Sequence, residues 1–302
     1  MITVYPDYYK KFSCKKEKCR HNCCIGWEID IDEEKMQYYK NIGGEMGKKL
    51  KNNIANKPTP HFILDKNERC PFLNKDNLCE LIINLGEDSL CEICSLHPRF
   101  QNLLPERTEI GLGLCCEAAT ELIIGNRDTV NLINNTTSDD EIIILRDKII
   151  SVLQERSLNI NLRVKKMLDL CQTDFEFTKD AFDKFLALER LQDGWTDVLY
   201  LAKENYTHAN FDNFDRYIKD REYEYEQFLV YLIYRHFANS IDLYSAAQKA
   251  KFAAMAYRLI YYIGGALFQK YGDLPFEMQT DIMRMFSAEI EYSDENLYSL
   301  IG

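Results

Sequence analysis

The sequence predicts a mainly α protein, with a cysteine-rich metal-binding N-terminal part of little regular structure followed by a helical domain. Three observations carry this expectation. Ten of the 11 cysteines lie between Cys14 and Cys116. Six of the seven prolines fall within the first 105 residues, and none follows until Pro275. The long proline-free interval between them shows apolar residues at helical spacing. The division is placed at residue 120, giving a cysteine-rich domain over 1–120 and a helical domain over 121–302.

Taken in order, residues 33–40 and 45–53 read as short helices, with Asp32 placed to start the first. Short apolar pieces at 61–64 and 110–114 read as small strands. Asp139, Asp140 and Glu141 form an acidic start for a helix over 142–158. Further helices are expected over 162–170, 181–201, 225–237 and 244–268. The first part offers little apolar surface, so a bound metal is expected to supply part of its folding energy.

Composition narrows the function. Lys and Arg total 37 against 48 Asp and Glu, a net charge of −11. Such acidity gives no general attraction to nucleic acid or anionic lipid and favours a basic partner. The longest near-apolar stretches are too short to span a bilayer, and the opening MITVYPDYYKKF has no apolar run. No membrane and no nucleic-acid partner is expected, and the location expected is cytoplasmic.

Reduced thiols are the rule in that compartment, so the cysteines point to metal ligation rather than disulfides. Their order is Cys14-x4-Cys19-x3-Cys23-Cys24, then Cys70, Cys79, Cys91-x2-Cys94 and Cys115-Cys116. Grouped thiolates suit zinc and iron–sulfur clusters alike, and the spacing leaves both open. Side chains of adjacent residues diverge on a helix or strand, so in each Cys-Cys pair one member is expected to be a bystander or to serve a second site. Cys19-x3-Cys23 begins the C-x3-C-x2-C pattern of radical S-adenosylmethionine enzymes, but the third position is Gly26. No strand–G-x-G-x-x-G–helix unit is present either, since Gly111-x-Gly113 lacks its third glycine and Gly264-Gly265 sits in a helical pattern.

Several motifs in order resemble the flagellin lysine N-methylase family, whose N-terminal part is similar to the cysteine-rich zinc- or iron-chelating domain family. They are Phe12-Ser-Cys14-x4-Cys19-x3-Cys23-Cys24-Ile-Gly26-Trp27, Ile29-Asp30-Ile31-Asp32, Arg69-Cys70-Pro71-Phe72-Leu73, Leu78-Cys79, Leu85-Gly86-Glu87, Cys94, Pro98-Arg99 and Leu114-Cys115-Cys116-Glu117-Ala118-Ala119. Weaker similarity runs through 225–237. The resemblance implies methyl transfer from S-adenosyl-L-methionine to lysine side chains of flagellin by a protein with a [4Fe–4S] cluster, zinc being the occupant of any second site. It also implies a ligand set of Cys14, Cys19, Cys23, Cys24, Cys70, Cys79, Cys94 and Cys115, with Cys91 and Cys116 as extras.

Other residues enter as catalytic or donor-binding candidates, each beside a plainer reading. Arg99 can pair with the donor's carboxylate or neutralise a thiolate cluster. Trp27 covers the metal site or stacks on the donor. Glu117 starts a helix or grips the target lysine. Tyr234, with Tyr231 and Arg235 near one helical face, packs in the core or lines an aromatic cleft for the amine. His97 lies within reach of a metal that Cys94 would hold. Arg99, Glu117 and Tyr234 are thus the expected catalytic residues, and Trp27 and Arg99 the donor-binding ones. The competing expectation is a non-enzymatic metal-binding or redox-sensing protein acting through a partner surface.

Overall fold

The computed structural model describes residues 2–191, 194–206 and 211–301. The chain opens on strand β1 (Ile2–Pro6), then enters a region of short pieces: α1 (Glu33–Lys40), α2 (Gly44–Asn52), β2 (Ile54–Ala55), β3 (His61–Phe62), α3 (Glu80–Leu85) and α4 (Glu92–Leu96). Strands β4 (Arg99–Leu103) and β5 (Arg107–Leu112), helix α5 (Glu117–Ile124) and strand β6 (Leu132–Ile133) follow. The rest is helical: α6 (Glu141–Leu153), α7 (Ile160–Leu170), α8 (Ala181–Leu186), α9 (Trp195–Glu204), α10 (Asp212–Ile218), α11 (Glu222–His236), α12 (Leu243–Tyr271), α13 (Phe276–Phe286) and α14 (Asp294–Ile301). The protein is mostly helical with a small mixed sheet. No described helix is long and apolar enough to cross a membrane.

Two compact units result, one of residues 13–99 and one of 1–12 with 100–302. The larger unit carries the four-stranded sheet, ordered β4-β5-β1-β6. There β1 runs parallel to β5, with Ile2 opposite Arg107 and Val4 opposite Glu109, and antiparallel to β6. Helix α11 is the centre of this unit: every residue from Glu224 to Tyr234 is buried. It packs on α12, α5 and α6, while α12 also packs on α9 and α13. A helix buried all round ordinarily reads as apolar all round. Here α11 carries Glu226 inward, and Arg163 Nη1 and Arg156 Nη2 meet its carboxylate at 2.6 and 2.8 Å.

Cap chemistry sets the helix ends. Asp140 accepts the amides of Ile142 and Ile143 at the start of α6, as its acidic run predicts. Asp242 and Ser245 close a capping box on α12, which ends at Gly272 in the left-handed region (φ 76°). The single helix expected over 181–201 is two helices: α8 ends at Leu186, and the left-handed Gly194 (φ 79°) caps the start of α9. Within α12, a Cβ on Gly265 would lie 1.9 Å from the Phe211 ring, so this glycine admits an aromatic side chain.

The smaller unit has its own core of Ile29, Ile31, Tyr39, Leu50, Phe62, Phe72, Leu73 and Leu81, which includes the Cys70 and Cys91 side chains. Phe62 meets Phe72 edge to face at 4.9 Å, and the Tyr39 hydroxyl donates to the Ser89 carbonyl at 2.7 Å. Apolar packing and thiols therefore share one interior.

Candidate metal centre and a buried charged site

Local backbone hydrogen bonds gather the thiols of the smaller unit. Gly26, left-handed at φ 89°, donates to Glu68 O at 3.0 Å, and Cys70 N donates to Cys24 O at 2.8 Å. The turn holding Cys23 and Cys24 is thus pinned to the segment holding Cys70. Leu73 pairs with Cys79 as an isolated bridge, and Glu80 N donates to Phe72 O at 2.8 Å, bringing Cys79 back beside Cys70. Asp32 places the remaining pair. One carboxylate oxygen accepts Lys35 N at 2.9 Å to cap α1, and the other accepts Glu92 N at 2.7 Å at the start of α4, the helix that carries Cys94 after its N-cap Cys91.

Six sulfurs consequently act on one another: Cys23, Cys24, Cys70, Cys79, Cys91 and Cys94. Cys24 donates its thiol hydrogen to Cys23, which lowers Cys23 to about 7 and raises Cys24. Cys94 donates to Cys91 in the same way, with the same pair of effects. Burial pushes Cys70 up to about 11, against the amides of Phe72 and Leu73. Burial also raises Cys79, against the amides of Ile82 and Leu81 in the first turn of α3. Cys70 and Cys79 are thus buried thiols facing backbone N–H donors, whereas Cys24 and Cys94 each give their hydrogen to a neighbouring sulfur. Amide donors of this kind stabilise thiolates bound to a metal.

The adjacent pair Cys23–Cys24 corrects one expectation. Its sulfurs do not diverge, because residues 21–26 form a turn rather than a helix or strand. Among the described residues, no three sulfurs lie within 4.8 Å of one another. Ligands on a single zinc ion stand about 3.8 Å apart, given Zn–S bonds of about 2.3 Å and tetrahedral angles. Zinc and iron–sulfur clusters both take soft thiolate donors, and these six thiols exceed the four that either centre needs.

The other expected site residues fall in different places. Cys14 is exposed and accepts Lys16 N at 3.3 Å, and Cys19 donates to His21 O at 3.2 Å. Trp27 donates from its indole nitrogen to Cys23 O at 2.6 Å and packs on the small core, so it covers the thiol turn. Its ring lies 6.0 Å from that of His97, whose pKa falls to about 4 through burial and the neighbouring Arg99 charge. Arg99 itself is exposed. Cys91, an extra in the ligand set read from the resemblance, is fully buried among the thiols.

Cys115, Cys116, Glu117 and Tyr234 belong to the larger unit. Glu117 is buried at the first position of α5, after the N-cap Cys116. The Tyr234 hydroxyl donates within reach of two carbonyls, Val4 O at 3.0 Å and Ile110 O at 3.1 Å, and so ties α11 to the sheet. Cys115 enters a charged network that the sequence signalled only through Tyr231 and Arg235. Burial pushes its thiol up to about 12, against a hydrogen bond from Tyr292 and the Arg235 charge. Tyr231 donates to Glu291 Oε2 at 2.8 Å and accepts Arg235 Nη1 at 2.7 Å, while His236 Nε2 meets Glu291 Oε1 at 2.6 Å. Burial opposes the Glu291 charge, yet Arg235 and His236 hold its pKa down at about 2. Burial likewise keeps His236 neutral more strongly than Glu291 favours its cation. Glu291 closes the π-helical segment Ser287–Glu291, a distortion frequent at functional sites, and the partly exposed Tyr292 that follows turns its hydroxyl onto Cys115.

The sequence profile of the FliB lysine N-methylase C-terminal domain matches residues 104–302. The chain belongs to the FliB lysine N-methylase family. It is 28% identical over 157 residues to a lysine-N-methylase of Salmonella typhimurium (strain LT2), covering 45% of this chain and 36% of that protein. The lysine-N-methylase of Salmonella choleraesuis matches equally, at 28% over 157 residues. A flagellar biosynthetic protein FliU of Salmonella muenchen is 27% identical over 146 residues, 43% of this chain and 82% of that protein. The match thus spans only 36% of the length of the two lysine-N-methylases. No solved structure matches the chain.

Proposed function

We propose that this protein is a protein-lysine N-methyltransferase that moves a methyl group from S-adenosyl-L-methionine to lysines of a flagellar protein, flagellin being the expected one. The observation that carries this reading is the family match over residues 104–302, which takes in the whole Cys115–Arg235–His236–Glu291–Tyr292 site. In the reaction the lysine nitrogen forms a bond to the sulfonium methyl, the S–CH3 bond breaks, and its electron pair leaves on the thioether. The ammonium first has to lose a proton. His236, kept neutral by burial and oriented by Glu291, suits that acceptor role. Glu117, in the same unit as His236, is assigned to the lysine side. Tyr234 acts through the sheet it anchors.

The thiols of Cys23, Cys24, Cys70, Cys79, Cys91 and Cys94 would hold an iron–sulfur cluster, with Cys14 and Cys19 nearest in sequence. Methyl transfer to an amine needs no redox step, so the cluster's part is to hold residues 13–99 in shape. The test is incubation of anaerobically purified, metal-loaded protein with S-adenosyl-L-methionine and flagellin, followed by mass spectrometry. Methyllysine on flagellin is the expected product. Its absence from metal-loaded protein would overturn the reading and favour a metal-binding or redox-sensing role.

A further inference from the structure

We propose a second metal site, separate from the thiols, in which Glu28, Asp30 and His61 bind one divalent first-row cation. The three residues each offer a ligand atom, and these atoms all lie within 4.8 Å of one another. The arrangement follows from strand geometry. In the extended segment 28–32 side chains alternate, so Ile29 and Ile31 are buried while Glu28 and Asp30 share the outer face. Asp30 forms an isolated antiparallel bridge with His61 at the start of β3, which puts the imidazole directly across from that face.

Two further features favour an ion. The His61 Nδ1 lies 2.8 Å from the Thr59 carbonyl, a bond in which only N–H can donate, so Nε2 is the nitrogen left to face the carboxylates and, in the neutral ring, to offer a lone pair. That nitrogen stands 3.7 Å from Glu28 Oε2. A backbone carbonyl fixing the far nitrogen is the usual support of a metal-bound imidazole. Among the described residues, no lysine or arginine lies within ion-pair distance of Glu28 or Asp30, and the polar partner of Asp30 is the Thr59 hydroxyl at 3.3 Å. Two facing carboxylates thus lack a cation, and one imidazole completes a nitrogen-and-oxygen donor set. Such a set prefers borderline or harder ions over those that select thiolates. Metal–ligand bonds of about 2.0–2.2 Å would draw the three groups together by rotation of exposed side chains. The open side of the ion would face solvent.

Manganese(II) is the probe, because thiolate sites discriminate against it. Full-length protein with its thiol site already loaded is titrated with Mn2+, and free ion is followed by electron paramagnetic resonance. One saturable Mn2+ per chain is expected. Asp30→Asn and His61→Ala should each weaken it at least tenfold, whereas Cys115→Ser should leave it unchanged. Circular dichroism of the variants establishes that they are folded, and Glu28→Gln provides a third ligand change at an exposed position. No saturable Mn2+, or binding equally tight in folded Asp30→Asn and Glu28→Gln proteins, would overturn the proposal. Neither result depends on methyl transfer.

Discussion

Residues 13–99 carry 14 basic and 14 acidic side chains, whereas the rest of the chain carries 23 basic and 34 acidic ones. The entire net charge of −11 therefore resides in the helical unit, the one that matches the methylase family. The two differ as much in what holds them. The helical unit buries long apolar helices around α11 and neutralises its inward charges with arginines. The smaller unit relies on turns, a few aromatic contacts and a group of thiols inside its core. One region is stable through the area that it buries. In the other, thiols such as Cys70 and Cys91 occupy core positions that apolar side chains would otherwise fill.

The largest expected effect tests that contrast directly. Protein isolated without oxygen should be brown and contain labile sulfide, and stripping its metal or making Cys70→Ala should unfold residues 13–99. Hydrogen exchange should then rise across that unit to the rate of an open chain, while α11 and α12 stay protected. Colourless protein holding only zinc would remove the iron assignment, and protection unchanged in Cys70→Ala would remove the contrast itself.

In the helical unit the corresponding weak point is charge. Glu226→Gln leaves the buried Arg163 with Glu222 as its remaining carboxylate and the partly exposed Arg156 facing a neutral group, and should cost about 3 kcal/mol in chemical denaturation. A loss below about 1 kcal/mol would mean that the two arginines escape to water.

The smallest effect sharpens the picture of the smaller unit. Asp32→Ala removes the caps of both α1 and α4, at about 1 kcal/mol each. Burial works against the Asp32 carboxylate, but the amides of Glu92 and Lys35 outweigh it and hold its pKa below the usual value. Its contribution is therefore present above the unfolded pKa of about 3.9 and lost as pH falls through the lower folded value. Denaturation at a series of pH values should show this acid loss in the native protein and not in Asp32→Ala.

Much of this was legible in advance. Proline placement and helical periodicity marked out α6, α7, α11 and α12, and Asp32 and Asp140 were readable as caps because capping is local. Residues 181–201 read as one helix because apolar periodicity reveals neither the end of α8 at Leu186 nor the left-handed Gly194 that starts α9. The parallel pairing of β1 with β5 joins segments about a hundred residues apart, and no local pattern announces it. Cys91 reads as an extra beside the cysteines shared with the family, and the Asp32 cap on α4 sets it within the thiol group.

The sequence by itself determined the composition of the two regions: where thiols gather, where helices can run, and which unit carries the charge. Those properties follow from residue type and from spacings of a few residues. Only the tertiary structure decided which distant groups meet. It joined Cys23 and Cys24 to Cys70, set His61 across from Asp30, committed the Tyr234 hydroxyl to two strand carbonyls, and enclosed Glu291 between Arg235 and His236. The physical reason is that burial and electrostatic pairing act through space, so a side chain's chemistry is set by neighbours that its own segment does not encode.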